Sequence, residues 1–221
     1  MDLYLKPTRA IDSDNKEIIK VARGLTISLK DEREKAIKLF YFVRDEIQYS
    51  VYMISTFFED FIASTILARK KGYCVQKALL LVALARAIGI PAKLAFAKIK
   101  NHRVPKELVS QTGLDIFPSH GYTQLLLDGK WVSVTPAFDR YLCEQHDIPT
   151  VEFDGFNDAA LSPYDLSGRP YIEYLEKYES HADLPFEWLR SRVIHIWGEK
   201  RSWLTLEDSK GHKMPSGYIF K

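Results

Sequence analysis

A chain of 221 residues with 46% apolar and 27% charged side chains can bury a substantial core, as one domain or as one domain with an extension. Its 31 basic and 29 acidic residues leave a formal charge of +2, with no basic stripe to suggest nucleic acid and no acidic tail to suggest a binding arm. Two cysteines, Cys74 and Cys143, are too few for a disulfide framework or a four-thiolate zinc site.

The opening residues MDLYLKPTRAIDSDN lack the charged-then-apolar pattern of a secretion signal, so a reducing cytoplasm is the expected compartment. Asp12 to Arg23 predicts a short polar helix ended by Gly24. Ser28 or Asp31 can cap a longer helix, because Ala36, Ile37, Leu39, Phe40, Val43 and Ile47 recur at helical spacing. Gln48 to Ile54 alternates loosely, as an extended segment does, and Ser64 to Lys70 predicts another short helix stopped by Gly72.

Next comes KGYCVQKALLLVALARAIGIPAK, in which a helix is expected from about Val75 to Ile88, closing on Gly89 and Pro91. Apart from Gln76, Lys77 and Arg86 this helix is apolar on every face, so it belongs inside a domain. Its longest apolar run, Ala78 to Ala85, is far too short to cross a bilayer. Cys74 lies at its first turn, where orphan amides and the helix dipole favour a thiolate. Cys74 is therefore the candidate nucleophile.

Ala92 to Ile99 alternates with the strand period, Leu94 and Phe96 on one face and Ala95, Ala97 and Ile99 on the other. Asn101 to Ser119 has no clean period, contains Pro105, Gly113 and Pro118, and reads as a loop. In HGYTQLLLDGKWVSVTPAFD, Asp128-Gly129 predicts a two-residue type I′ hairpin. That turn pairs Leu127 with Lys130, Leu126 with Trp131, Gln124 with Ser133, Tyr122 with Thr135 and His120 with Ala137. His120, Tyr122, Gln124 and Leu126 then share a face with Trp131, Ser133, Thr135 and, if the strand survives Pro136, Asp139. Beyond Tyr141, turns are expected at Asp154-Gly155, Ser162-Pro163 and Ser167-Gly168, and a helix over Tyr171 to Tyr178. Residues 191–221 are expected to be an extension of a domain spanning 1–190.

A cysteine at a buried helix start, a histidine on a strand and a carboxylate on its neighbour come in the order needed for thiolate chemistry. The imidazole takes the thiol proton and returns it to the leaving group, a carboxylate fixes the ring, and amides at the helix start receive an oxyanion. Asp139 is equally placed to cap a helix starting near Tyr141. His102, His146, His181, His195 and His212 have no partners at metal-ligand spacing, so neither metal nor cofactor is expected.

The segments GYC, AIGIPAK and SHGYTQLLLDGKWVSV, preceded by LFYFVRDEIQY, resemble the core of the transglutaminase-like superfamily over roughly residues 30 to 140. The resemblance implies an α+β, papain-like fold in which a central buried helix carrying the cysteine packs on an antiparallel sheet carrying His and Asp. By that resemblance Cys74 is the nucleophile and His120 its partner. The superfamily's usual Asp before Pro is here Thr135, in WVSVTP. The TPAFD run resembles a branch with Asp or Asn at the later position, which points to Asp139. Tyr73, Tyr122, Trp131 and Thr135 are the expected cleft residues.

The implied activity is cysteine-dependent acyl transfer from an amide of a peptide or protein substrate through a thioester, as a peptidase or amidase. An inactive peptide-binding relative is the second reading, kept open by Thr135. A cross-linking transglutaminase or an arylamine-type acetyltransferase is less favoured, and a peptide:N-glycanase is disfavoured because its zinc site needs more cysteines.

Overall fold

Helix α4 (Cys74–Ala87) is the axle of the structure: every residue from Val75 to Arg86 is buried. The computed structural model describes residues 2–104, 109 and 115–197. Helices α1 (Lys16–Thr26), α2 (Glu32–Glu46) and α3 (Ala63–Arg69) pack around α4 on one side. On the other lies an antiparallel sheet of β3 (Ala92–Asn101), β4 (Ile116–Leu127), β5 (Lys130–Val134) and β6 (Ile172–Lys177), in the order β5-β4-β3-β6. A two-stranded parallel ribbon, β1 (Gln48–Tyr49) with β2 (Lys71–Gly72), leads into α4. Helix α5 (Arg140–Gln145) and helix α6 (Phe186–Trp197) complete the elements used below. The α+β class expected from the sequence is what the chain adopts.

A helix can be buried on all sides only if its polar side chains find partners inside. All three in α4 reach main-chain carbonyls. Gln76 Nε2 donates to Asp60 O at 2.8 Å, and Lys77 Nζ to Arg44 O at 2.9 Å. Arg86 donates to Ala92 O, Lys6 O and Ala182 O, tying three distant stretches to the end of the helix. The leucines at 79, 80, 81 and 84 are fully buried. Each contributes roughly 1.5–3 kcal/mol by leaving water. The rest of the chain must condense around that payload.

Helix α2 starts as expected, with Asp31 Oδ1 accepting from Glu34 N at 3.0 Å. Helix α1 differs: Asn15 caps it and it runs through Gly24 to Thr26, whose hydroxyl donates to Ala22 O. A single glycine costs only about 1 kcal/mol in a helix, less than burial of Ile18 and Ala22 returns. The extended segment expected over Gln48 to Ile54 shortens to β1, and Val51–Met53 turns into a 3-10 helix. The loop expected up to Ser119 ends early, because β4 begins at Ile116 and pairs with Lys100; residues 105–108 and 110–114 lie outside the described residues.

The helix expected over Tyr171 to Tyr178 is strand β6, antiparallel to β3 with Ile172 opposite Asn101 and Tyr174 opposite Ile99. The hairpin turn is as expected, with φ 46° at Asp128 and 80° at Gly129, and it sets Leu127 against Lys130, Leu126 against Trp131 and Gln124 against Ser133. The ladder then stops. Thr135 N donates to Ala159 O at 2.9 Å, so the expected pairs Tyr122–Thr135 and His120–Ala137 do not form. Pro136 has no N–H with which to rejoin β4. The expected boundary at residue 190 falls within α6, where Leu189 and Val193 are buried in the core. Within the described residues no helix is long and apolar enough to cross a membrane.

Candidate active site

The β1–β2 ribbon delivers two tyrosines to the start of α4. Ser50 N donates to Gly72 O and Tyr49 N to Asp139 Oδ2, which pins Tyr49 beside Tyr73 and Cys74. Tyr73 N is satisfied by Gln76 Oε1 at 3.1 Å, so the residue before the cysteine is locked to the first turn of its helix. Strand β4 crosses this turn at Gly121. A Cβ there would lie 2.8 Å from Val75 Cα, so only glycine lets the strand come this close. Thr123 Oγ1 completes the dock by donating to Ala78 O at 2.9 Å.

Three backbone N–H groups, those of Cys74, Val75 and Gly121, point at the Cys74 sulfur and favour the thiolate. Burial opposes them and wins, pushing the thiol up to about 11. His120, opposite Ala97 on β3, is 3% exposed, and burial alone pulls its imidazole down to about 4. Its Nε2 is buried without a hydrogen-bond partner. The ring is held by aromatic neighbours, stacked on Tyr122 at 6.4 Å and 18° and met edge-on by Tyr174 at 6.1 Å and 76°. Burial thus works against the charged form of both groups, although Cys74 itself is half-buried rather than fully enclosed.

Cys74 and His120 line one cavity, which encloses about 710 Å³ of non-atom space with open solvent at its mouth included. Of the expected cleft residues only Tyr73 lines it. Its hydroxyl is buried and unpartnered, and the phenols of Tyr49 and Tyr73 are both raised, by burial first and by the thiolate form of Cys74 second. Trp131 sits outside, edge-on to Tyr4 at 5.1 Å and under Lys93 Nζ at 4.1 Å. Thr135 is buried and bonds the Tyr174 hydroxyl, which also accepts from Leu161 N. Tyr122 stays against His120 without reaching the cavity wall.

Asp139 caps α5, its Oδ1 accepting from Leu142 N at 2.9 Å, while Oδ2 holds Tyr49 N at 2.8 Å. Both oxygens serve backbone amides, and no hydrogen bond joins Asp139 to His120. Its charge is felt instead by buried Lys77 and Cys143. The pairing on which the diagonal approach was expected is absent, because β5 ends at Val134. Cys143 itself is a core residue, 1% exposed. Among the described residues, no group of three or more His, Cys, Asp and Glu could hold a metal ion.

Sequence reasoning missed Tyr49, Tyr174 and Arg192. Tyr49 and Arg192 line the cavity, and Tyr174 packs on His120. Tyr174 could have been found by reading 172–177 with period two; nothing local marks Arg192.

Among solved structures, the chain is similar to a provisionally assigned cysteine protease from Cytophaga hutchinsonii, at 16% identity and a TM-score of 0.48, over 80% of this chain and 53% of that one. It is also similar to a provisionally assigned protease from Parabacteroides distasonis ATCC 8503, at 20% identity and a TM-score of 0.40, over 57% of this chain and 24% of that one. The chain thus spans about half the length of the first and a quarter of the second. No curated protein sequence matches it. The model of the transglutaminase-like superfamily matches residues 19–136, more than half of the chain and a span that includes both Cys74 and His120; the protein belongs to that superfamily.

Proposed function

We propose that the protein is a cysteine-dependent acyl-transfer enzyme that cleaves amide bonds as a peptidase or amidase. The observation that carries this reading is the shared cavity, in which Cys74 at the start of α4 meets His120 with a buried, unpartnered Nε2. Cys74 Sγ attacks the amide carbonyl as His120 takes the thiol proton. The oxyanion is received by N–H groups at the start of α4, and the protonated imidazole passes its proton to the leaving amine. Water activated by His120 then hydrolyses the thioester and frees the thiol. Asp139 acts as a positioning residue, through Tyr49 and α5, and His120 works without a carboxylate partner.

The raised thiol and the lowered imidazole favour a second reading, a peptide-binding module that keeps the fold without the chemistry. Alkylation by iodoacetamide, followed by peptide mapping, separates the two. An enzyme labels at Cys74 near neutral pH, at a rate that falls at least tenfold in His120→Ala and is abolished in Cys74→Ala. A binding module labels only as the pH climbs toward 11, with no dependence on His120. Labelling of Cys143 instead of Cys74 sinks the nucleophile assignment.

A further inference from the structure

The cavity has a wall that thiol chemistry does not explain. Its lining is mostly aliphatic and aromatic, with Ile54, Ile99, Phe117, Phe138 and Ile172 among the contributors, and contains no Asp, Glu or Lys. With His120 neutral, the sole full charge on that lining is Arg192, from α6. Arg192 is one helical turn beyond Trp188, and its guanidinium lies 3.9 Å over the Trp188 ring and 5.6 Å from the Tyr178 ring. Trp188 is itself fixed against Phe96 of β3 at 5.0 Å and Tyr178 at 5.5 Å. Among the described residues the guanidinium has no ion pair.

Stacking on an indole uses the face of a guanidinium and leaves its N–H edges free. Those edges form a planar fork that matches a carboxylate in two parallel hydrogen bonds. Arg192 is only half-buried, so its free edges stay hydrated at the cavity wall and open to an anion. Ligand pockets bind mainly by apolar contact and orient what they hold with a few polar groups.

Resting on the reading of Cys74 as nucleophile, we propose that Arg192 is the carboxylate anchor of the cavity. The substrate is then a short peptide or acylated amino acid with an apolar side chain and a free carboxylate near the scissile amide. The apolar wall takes the side chain, Arg192 the carboxylate, and Cys74 the carbonyl. An internal segment of a long protein chain has no main-chain carboxylate and is a poorer fit.

Two reagents of nearly equal size, iodoacetate and iodoacetamide, test this on the full chain. Iodoacetate alkylates Cys74 with saturation and faster, relative to iodoacetamide, than it alkylates free cysteine. Arg192→Gln lowers the iodoacetate-to-iodoacetamide rate ratio about tenfold while leaving the iodoacetamide rate within twofold. Arg192→Lys, which keeps the charge but loses the fork, gives an intermediate ratio. A ratio unchanged in Arg192→Gln, with iodoacetamide still labelling Cys74, overturns the anchor and leaves the nucleophile standing. If neither reagent labels Cys74, the nucleophile reading has failed. The anchor is then judged by calorimetry on Cys74→Ala with N-acetylphenylalanylglycine as the free acid and as the amide. Tighter binding of the acid, by fivefold or more and lost in Cys74→Ala/Arg192→Gln, supports the anchor; equal binding of acid and amide refutes it.

Discussion

Replacing Gly121 by alanine tests the contact that brings strand and nucleophile together. The added methyl would lie 2.8 Å from Val75 Cα, 2.9 Å from its Cγ2 and 3.2 Å from its Cβ. Carbon atoms in good packing sit about 3.5–4.0 Å apart, so β4 and the first turn of α4 must separate by roughly 1 Å. Rotating the Val75 side chain relieves Cγ2 but not the backbone Cα. Overpacking of this kind costs about 1–3 kcal/mol. For a chain of this length that lowers Tm by roughly 2–12 °C. The shift also carries the Gly121 N–H away from the Cys74 sulfur, removing one of the groups that favour the thiolate. Thermal unfolding and the rate of Cys74 alkylation should therefore both drop in Gly121→Ala. Gly121→Ala/Val75→Ala should recover only part of the stability, because the clash with Cα remains. A Tm within 1 °C of the parent, with an unchanged alkylation rate, would refute the idea that this close approach is required.

Three further outcomes follow from buried charge. Lys77, fully buried and held down to about 7 against an ordinary 10.5, binds fewer protons folded than unfolded between those values, so its contribution to stability rises with pH across that window. Lys77→Met should be about 1–4 kcal/mol more stable at pH 7, with the advantage fading by pH 10.5, in urea titrations at both pH values; a less stable variant at pH 7 contradicts this. His120, held near 4 against an ordinary 6.5, acts in the same direction over a lower window: stability falls as the pH drops from 6.5 toward 4, by about 3 kcal/mol in all. His120→Gln should flatten that acid limb in the same titrations, and an unchanged limb would place the loss elsewhere. Asp139→Ala should cost about 1–3 kcal/mol through the lost cap and the freed Tyr49 amide. Asp139→Asn keeps an acceptor oxygen and should hold Cys74 alkylation within threefold; a hundredfold loss in Asn would mean that the charge itself serves His120.

What the sequence made legible was local. The period of α2, the all-round apolarity of α4 and the Asp128-Gly129 turn each carry their geometry within fifteen residues, and each appears as expected. Cys74 and His120, singled out from the same two local patterns, line one cavity. The geometry offered for the third position depended on extending a ladder past Val134, and Pro136 and the competing carbonyl of Ala159 end it there. Strand β6 was misread because Ile172, Leu175 and Tyr178 also fit a helical spacing. Only its partner β3, more than seventy residues earlier in the chain, decides between the two. Arg192 was invisible because an arginine one turn after a tryptophan is an ordinary surface pattern until the helix is seen to wall a cavity.

The wall of the cavity also sets a timetable. Cys74 and His120 are both synthesised by residue 120, whereas Ile172 reaches the cavity only when β6 has paired with β3, and Arg192, Val193 and Ile196 only when α6 has docked. Chains fold as they emerge, so until residues 172–196 have been made the thiol has no closed chamber around it. The burial that raises its pKa is not yet in place, and a half-made chain therefore presents a more acidic, more accessible sulfur than the finished protein does. Oxidative damage to Cys74 should accordingly fall on nascent or refolding chains, and the late helix shields the thiol once it has docked.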